Sequence, residues 1–216
     1  MSNRSKKLEH LSKFCNLETG EFDKDAFANL DLLYQKGRQY HKLSQKIRHC
    51  EWCLGMNIGR VTENCSGWGN LNAEIMFIGQ SLYESDMYSQ IPFISKMGVL
   101  IDAVLRLSNI NRQDCFWTNA VLCHPERNRP STEEEKENCW TYLAEIIGIV
   151  QPKVIVALGK DAEQGVKKYM SEREYGWKYL HYAHPASLLY ASPEARPNYI
   201  VKMSMDLDKI LGKVEK

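Results

Sequence analysis

Long apolar runs are what this sequence most clearly lacks. No stretch approaches the roughly 18 residues needed to cross a bilayer, so no membrane association is expected. The first residues, MSNRSKKLEHLSK, carry charge but none of the hydrophobic core of a secretory signal. A cytoplasmic location is the resulting expectation. Excess charge is missing too: 28 Lys and Arg stand against 27 Asp and Glu, a formal net charge of +1. A DNA-binding chain of this balance must gather its cations on one face. The cysteine count, seven, is odd in a chain with no export signal, which argues against a disulfide framework. Internal repeats and low-complexity tracts are also absent.

What is present is an ordinary globular composition, 44% hydrophobic and 25% charged over 216 residues, enough for a domain with its own core. Residues 1–49 read as a helical N-terminal arm. Asp23 or Asp25 can open a helix, and Phe27, Leu30, Leu33, Tyr40, Leu43 and Ile47 recur at helical spacing, with Gly37 a weak point. Between Asp31 and Glu51 no acidic residue occurs. Arg38, Lys42 and Lys46 step by four, forming either a solvated face or a ridge for DNA phosphates.

Residues 50–216 read as the main domain. AEIMFIG (73–79), CFWTNAVL (115–122), KVIVALG (153–159) and KYLHYA (178–183) look like strands, the first and third continuous enough to be central and parallel. Helices are predicted at 95–109, 132–149, 161–170 and 195–212. Ser131 or Thr132 with Glu134 or Glu135 offers a capping box for the second. Alternating strands and helices predict a three-layer α/β/α domain around a mostly parallel four-stranded sheet.

Four of the cysteines form a constellation. Cys50 and Cys53 make a C-x₂-C pair after the basic helix, Cys123 ends a predicted strand, and Cys139 lies two turns into the capped helix. Four thiolates suit zinc or an iron–sulfur cluster, and composition does not choose between them. Cys15, Cys65 and Cys115 lack such a setting and read as small buried residues or free thiols.

The segment TNAVLCHPERNRP (118–130), followed by Cys139, resembles the TNxxKCRPPxNRxP motif and trailing cysteine of the iron–sulfur uracil-DNA glycosylases, family 4 of that superfamily. PFISKMGVLID (92–102) resembles their PFVGxAGxLLD, PKVIVALG (152–159) their identical run, and HPASL (184–188) their HPxxL. The resemblance covers about residues 50–210. It implies a [4Fe–4S] cluster on Cys50, Cys53, Cys123 and Cys139, structural in role, with structural zinc as the alternative. It also implies that Phe93 stacks on an extruded base entering beside Gly79, that Asn119 reads its edge, and that His184 donates to the pyrimidine O2. Leu188 takes the place of a wedge in the DNA, and Arg127 and Arg129 face phosphates beside Lys42 and Lys46.

One loop departs from the pattern. Relatives carry GEAPG where this chain has Gly79-Gln80-Ser81-Leu82-Tyr83, so the glutamate next to the glycine is lost. Water positioning is expected to fall to Gln80, Ser81, Glu84 or Asp86. Tyr83 is expected either to block a 5-methyl group or, in a rebuilt loop, to admit a bulkier base. The expected activity is hydrolytic removal of uracil or a modified pyrimidine from single- or double-stranded DNA by a monomer. Two alternatives stand beside it: an enzyme for hypermodified phage pyrimidines, phage-encoded or antiphage, and an inactive cluster-bearing nucleic-acid binder.

Overall fold

A computed structural model describes residues 19, 24–173 and 178–213. The opening of the predicted arm, including Asp23, lies outside the described residues. The chain divides into two compact units, Met1–Gln39 and Tyr40–Lys216. The boundary falls inside a continuous helix α1 (Lys24–Arg48), where Gly37 makes no break.

The larger unit is built on the predicted alternation. After a short turn of helix α2 (Asn57–Arg60) and strand β1 (Trp68–Gly69), the order runs β2 (Ile75–Ser81), α3 (Glu84–Ser89), α4 (Lys96–Leu107), β3 (Phe116–Val121), α5 (Glu133–Val150), β4 (Val154–Leu158), α6 (Lys160–Ser171), β5 (Lys178–Tyr182) and α7 (Ala195–Ile210). The sheet order is β1-β3-β2-β4-β5, with β1 antiparallel and every other pairing parallel. Among the described residues the sheet therefore has five strands rather than the four expected. The additional one is two residues long, between Gly67 and Asn70, too short to give a period-2 signal.

Side-chain alternation along the central strands divides the core into two layers. Met76 and Ile78 of β2 and Ile155 and Ala157 of β4 face one side, where they pack with Leu143, Ile146 and Ile147 of α5 and with Leu43 and Ile47 of α1. Ile75, Phe77, Val154 and Val156 face the other, against Ile101 and Val104 of α4 and Met203 and Leu207 of α7. Helix α5 starts as its sequence dictates. Thr132 accepts from the Glu135 N–H (3.1 Å), and the Glu135 carboxylate accepts from the Thr132 N–H (2.8 Å). Helix α4 starts at the Ser95 cap. Helix α3 was not legible in the sequence: six residues, ESDMYS, are too few for a helical period.

Candidate active site

All four parallel strands point their C-terminal ends to one side, where chain reversals around β2 leave a crevice. A cavity of about 540 Å³ opens there, and Phe93, Asn119 and His184 all line it. Each comes from a different element: the loop before α4, the end of β3, and the loop after β5. Close approach is possible because two neighbouring residues have no side chain. Asn119 is the register partner of Gly79. A Cβ on Gly79 would collide with the Asn119 amide oxygen and stand 2.7 Å from Phe93 Cζ. A Cβ on Gly98 would run into the Phe93 carbonyl oxygen.

His184 is buried enough that desolvation lowers its pKa below the ordinary 6.5, against a smaller opposing pull from Asp161. Its Nδ1 accepts the Ala186 backbone N–H at 3.2 Å. A ring nitrogen that accepts carries no proton, so the neutral tautomer holds its hydrogen on Nε2 and can donate from there.

Phe93 is unusual in its backbone. Its φ is +64°, a region that a bulky residue rarely occupies and that costs about 1–3 kcal/mol. This twist turns its N–H and those of Ile94 and Ser95 toward the carboxylate of Asp86, with Phe93 N at 3.0 Å, an arrangement of the anion-nest kind. Ser85 donates to the other Asp86 oxygen at 3.3 Å. Burial raises the Asp86 carboxyl above the usual range, and these hydrogen bonds oppose the rise. Among the described residues Asp86 is the only carboxylate lining the cavity, and its oxygens are occupied by protein donors.

The other expected site residues divide into two groups. Gln80, Ser81 and Tyr83 line the cavity, with the Tyr83 side chain exposed; Glu84 does not line it and is exposed. Lys42 and Lys46 are exposed on α1. Arg127 is solvent-facing, with a 3.6 Å contact to Glu126. Arg129, by contrast, is committed to Glu135, with Nη1 at 2.9 Å from Oε2 and Nη2 on Oε1, and this pairing holds the Glu135 carboxyl below its usual range. Leu188, the expected wedge, is 7% exposed, whereas Tyr190 on the same loop is 92% exposed. The wedge position is therefore turned inward here, and among the described residues the large apolar side chain that this loop exposes is Tyr190. Sequence reasoning passed over Lys96 and Asn128, which also line the cavity. Asn128 has a φ of +55°, and Asn is one of the few residues that tolerate this.

The four expected metal ligands converge. Cys123 and Cys139 share a hydrogen bond, which adds to burial in pushing the Cys123 thiol up and outweighs burial in drawing Cys139 down. Cys53 and Cys50 lie close enough to add to the rise at Cys123. Asn138 donates to Cys53 Sγ at 3.4 Å, and Cys123 Sγ donates to Asn64 Oδ1 at 3.1 Å. Among the described residues no three Cys, His, Asp or Glu side chains close on a single ion. The donor set is nevertheless four cysteine sulfurs, which fits either an iron–sulfur cluster or a structural zinc. The same segment supports the cavity: Leu82 N–H donates to the Cys123 carbonyl at 3.2 Å, and His124 Nδ1 bonds the Leu82 carbonyl at 2.9 Å. The Gln80–Tyr83 loop is thus fastened to the residues around Cys123.

Residues 66–208 match the profile of the uracil DNA glycosylase superfamily. The chain is 35% identical over 131 residues to a type-4 uracil-DNA glycosylase of Thermotoga maritima, covering 60% of this chain and 67% of that one. It is 32% identical over 178 residues to a type-4 uracil-DNA glycosylase of Archaeoglobus fulgidus, covering 73% and 87%. A type-5 uracil-DNA glycosylase of Pyrobaculum aerophilum is 30% identical over 148 residues, 60% of this chain and 64% of that enzyme. With the strand topology, the common cavity and the profile match in agreement, the chain belongs to the uracil DNA glycosylase superfamily and is a DNA glycosylase.

Proposed function

We propose that the protein everts a deoxyuridine from DNA and hydrolyses its N-glycosidic bond, leaving an abasic site. The observation that carries this reading is the single cavity in which an aromatic ring, an amide and a proton-donating imidazole face one another. A base must leave the duplex stack to be reached, at a cost of a few kcal/mol. Stacking on Phe93 offsets about 1–3 kcal/mol of that. The Asn119 amide donates and accepts at once, matching the O4 and N3–H edge of uracil. As the C1′–N1 bond breaks, its electron pair stays on the base, and the Nε2–H of His184 stabilises the anion at O2. Water then adds to C1′ of the oxocarbenium ion and gives its proton to solvent. Because the Asp86 oxygens are engaged, water orientation falls to Gln80 and Ser81, and the rate depends mainly on stabilising the leaving base.

The four cysteines are read as ligands of a [4Fe–4S] cluster. Four cysteine sulfurs are a donor set that would suit such a cluster, and the likeness to type-4 enzymes favours it over a zinc ion. The cluster would supply rigidity, since hydrolysis has no electron step. DNA would lie across Lys96, Arg127, Lys42 and Lys46. A second reading, a bulkier modified pyrimidine, is favoured by Tyr83, which is half exposed at the cavity rather than packed as a tight wall.

The test is a panel of single- and double-stranded oligonucleotides carrying uracil, thymine, 5-hydroxymethyluracil or glucosylated pyrimidines, each followed by alkaline cleavage. Breaks at uracil that fall by about 10²–10³ in His184→Ala are the expected result. Breaks only at modified bases would move the assignment to the second reading, and none on any substrate would leave a nucleic-acid binder.

A further inference from the structure

The stacking wall is not held by its own packing alone. Arg112, which belongs to none of the motifs above, sits behind it. Its Nη1 donates to Asp102 at 2.6 Å, and its Nη2 donates to the Phe93 carbonyl oxygen. The guanidinium lies 4.2 Å from the centroid of the Trp117 ring and 5.4 Å from that of Trp68. Those two indoles stack on each other at 6.0 Å and 15°, and Trp117 touches Phe93 at 5.5 Å. The carbonyl of Arg112 accepts the Trp117 Nε1–H at 3.0 Å. The Trp68 Nε1–H is taken by Pro92, the residue before Phe93, at 3.0 Å. The Trp68 indole N–H and the Arg112 guanidinium thus hold the carbonyls of two consecutive residues, Pro92 and Phe93.

On the other side of Phe93 stands Asp86, which accepts the Phe93 N–H. The N–H and the C=O of one residue are thus gripped by opposite charges from two different elements, and that residue has the left-handed backbone. We infer that Asp86 and Arg112 are positioning residues that clamp Phe93 in its strained conformation so that its ring meets the everted base. This rests on the proposed function, in which Phe93 is the stacking surface. An Arg is needed because only its planar fork presents two donors in fixed directions, one to Asp102 and one to the Phe93 carbonyl. A Lys can serve one of them well, not both. An Asn at position 86 keeps the shape but turns an amide donor toward backbone N–H groups.

The experiment uses Arg112→Lys and Asp86→Asn, each alone and combined with Phe93→Ala, in the full chain. Affinity is measured for a single-stranded oligonucleotide carrying non-cleavable 2′-fluoro-deoxyuridine, relative to one with an abasic analogue at that place. The ratio isolates the contribution of the base. Phe93→Ala should reduce it by roughly 5- to 150-fold, the range of one base-stacking contact. Each clamp variant should lose most of the same factor, and the double variants little more than Phe93→Ala, since both changes act on one contact. Single-turnover cleavage of a uracil oligonucleotide at saturation should fall much less than affinity does. Additive losses in the double variants, or clamp variants with wild-type ratios, would overturn the clamp. Amide exchange of residues 93–95 is read on the same proteins. If wild-type protein shows no base-dependent binding, the functional reading fails, and exchange decides the clamp alone. Protection lost in both variants supports it; protection unchanged in both overturns it.

Discussion

At His184 two independent features agree on one protonation state. Burial disfavours the imidazolium, and an imidazolium would also set Nδ1–H against the Ala186 N–H that Nδ1 now accepts. Its NMR titration in the folded protein should therefore give a pKa below 6.5; a value above it would contradict the tautomer assigned here. The sign carries through to stability. Below pH 6.5 the unfolded chain binds a proton that folded His184 resists, so this residue lowers stability progressively as pH falls through the folded-state pKa, and has no effect above 6.5. A second residue-scale expectation concerns Gly79. Its place beside Asn119 and Phe93 means that Gly79→Ala puts a methyl group into the contact between them. Overpacking of this kind costs about 1–3 kcal/mol, a loss the protein should survive. Uracil excision should nevertheless fall far more than thermal stability does. Equal and small effects on both would show that the two side chains can part without consequence.

Among the elements, the loop after β5 and helix α1 are where DNA contact can be tested. Tyr190 is the exposed ring of that loop, beyond the buried Leu188, and a flat side chain there can stack on a base flanking the everted one. Tyr190→Ala should weaken binding of uracil-containing DNA by an amount of stacking size, about 1–3 kcal/mol, whereas Leu188→Ala should mainly lower the melting temperature. The reverse pattern would return the wedge to Leu188, through a rearrangement of the loop on binding. Lys42→Glu with Lys46→Glu should make the slope of log affinity against log salt shallower by about 1.4–1.8, two phosphate contacts' worth; an unchanged slope returns them to a solvated face. Elements also show what the sequence could disclose. β2 and β4 were readable because burial on both faces makes a strand continuously apolar, and α5 because its capping box is a local signal. β1 and α3 were not, being shorter than the period that would reveal them. In the site, Phe93, Asn119 and His184 were legible only through family motifs. Arg112 and the committed state of Arg129 and Asp86 were not legible, since they depend on partners that sequence does not place: Asp102, Glu135 and the twisted backbone at Phe93.

For the molecule as a whole, the four cysteines come from parts of the chain that secondary structure leaves separate: just after α1, just after β3 and the first half of α5. Around them Asn64 donates to the carbonyls of Ile47 and Cys50 at 2.7 and 2.8 Å, and Asn57 donates to Asn64 at 2.6 Å and accepts from the His124 N–H at 2.7 Å. A bound cluster would close a loop of about 70 residues between Cys53 and Cys123, worth on the order of 4 kcal/mol by the entropy of cross-linking alone. In a domain of this size that corresponds to a change in melting temperature on the order of 10 °C. Because Leu82 is bonded to both Cys123 and His124, loosening this region should also release the Gln80–Tyr83 wall of the cavity. Protein purified without oxygen should be brown, with iron and sulfide in equal amounts near four per chain. Stripping the iron with a chelator, or Cys139→Ala, should bring both the drop in melting temperature and a loss of uracil excision that restored ionic conditions do not rescue. A colourless protein holding one zinc would remove the cluster from this account, and a brown one that keeps its full rate after iron removal would separate the cluster from the cavity.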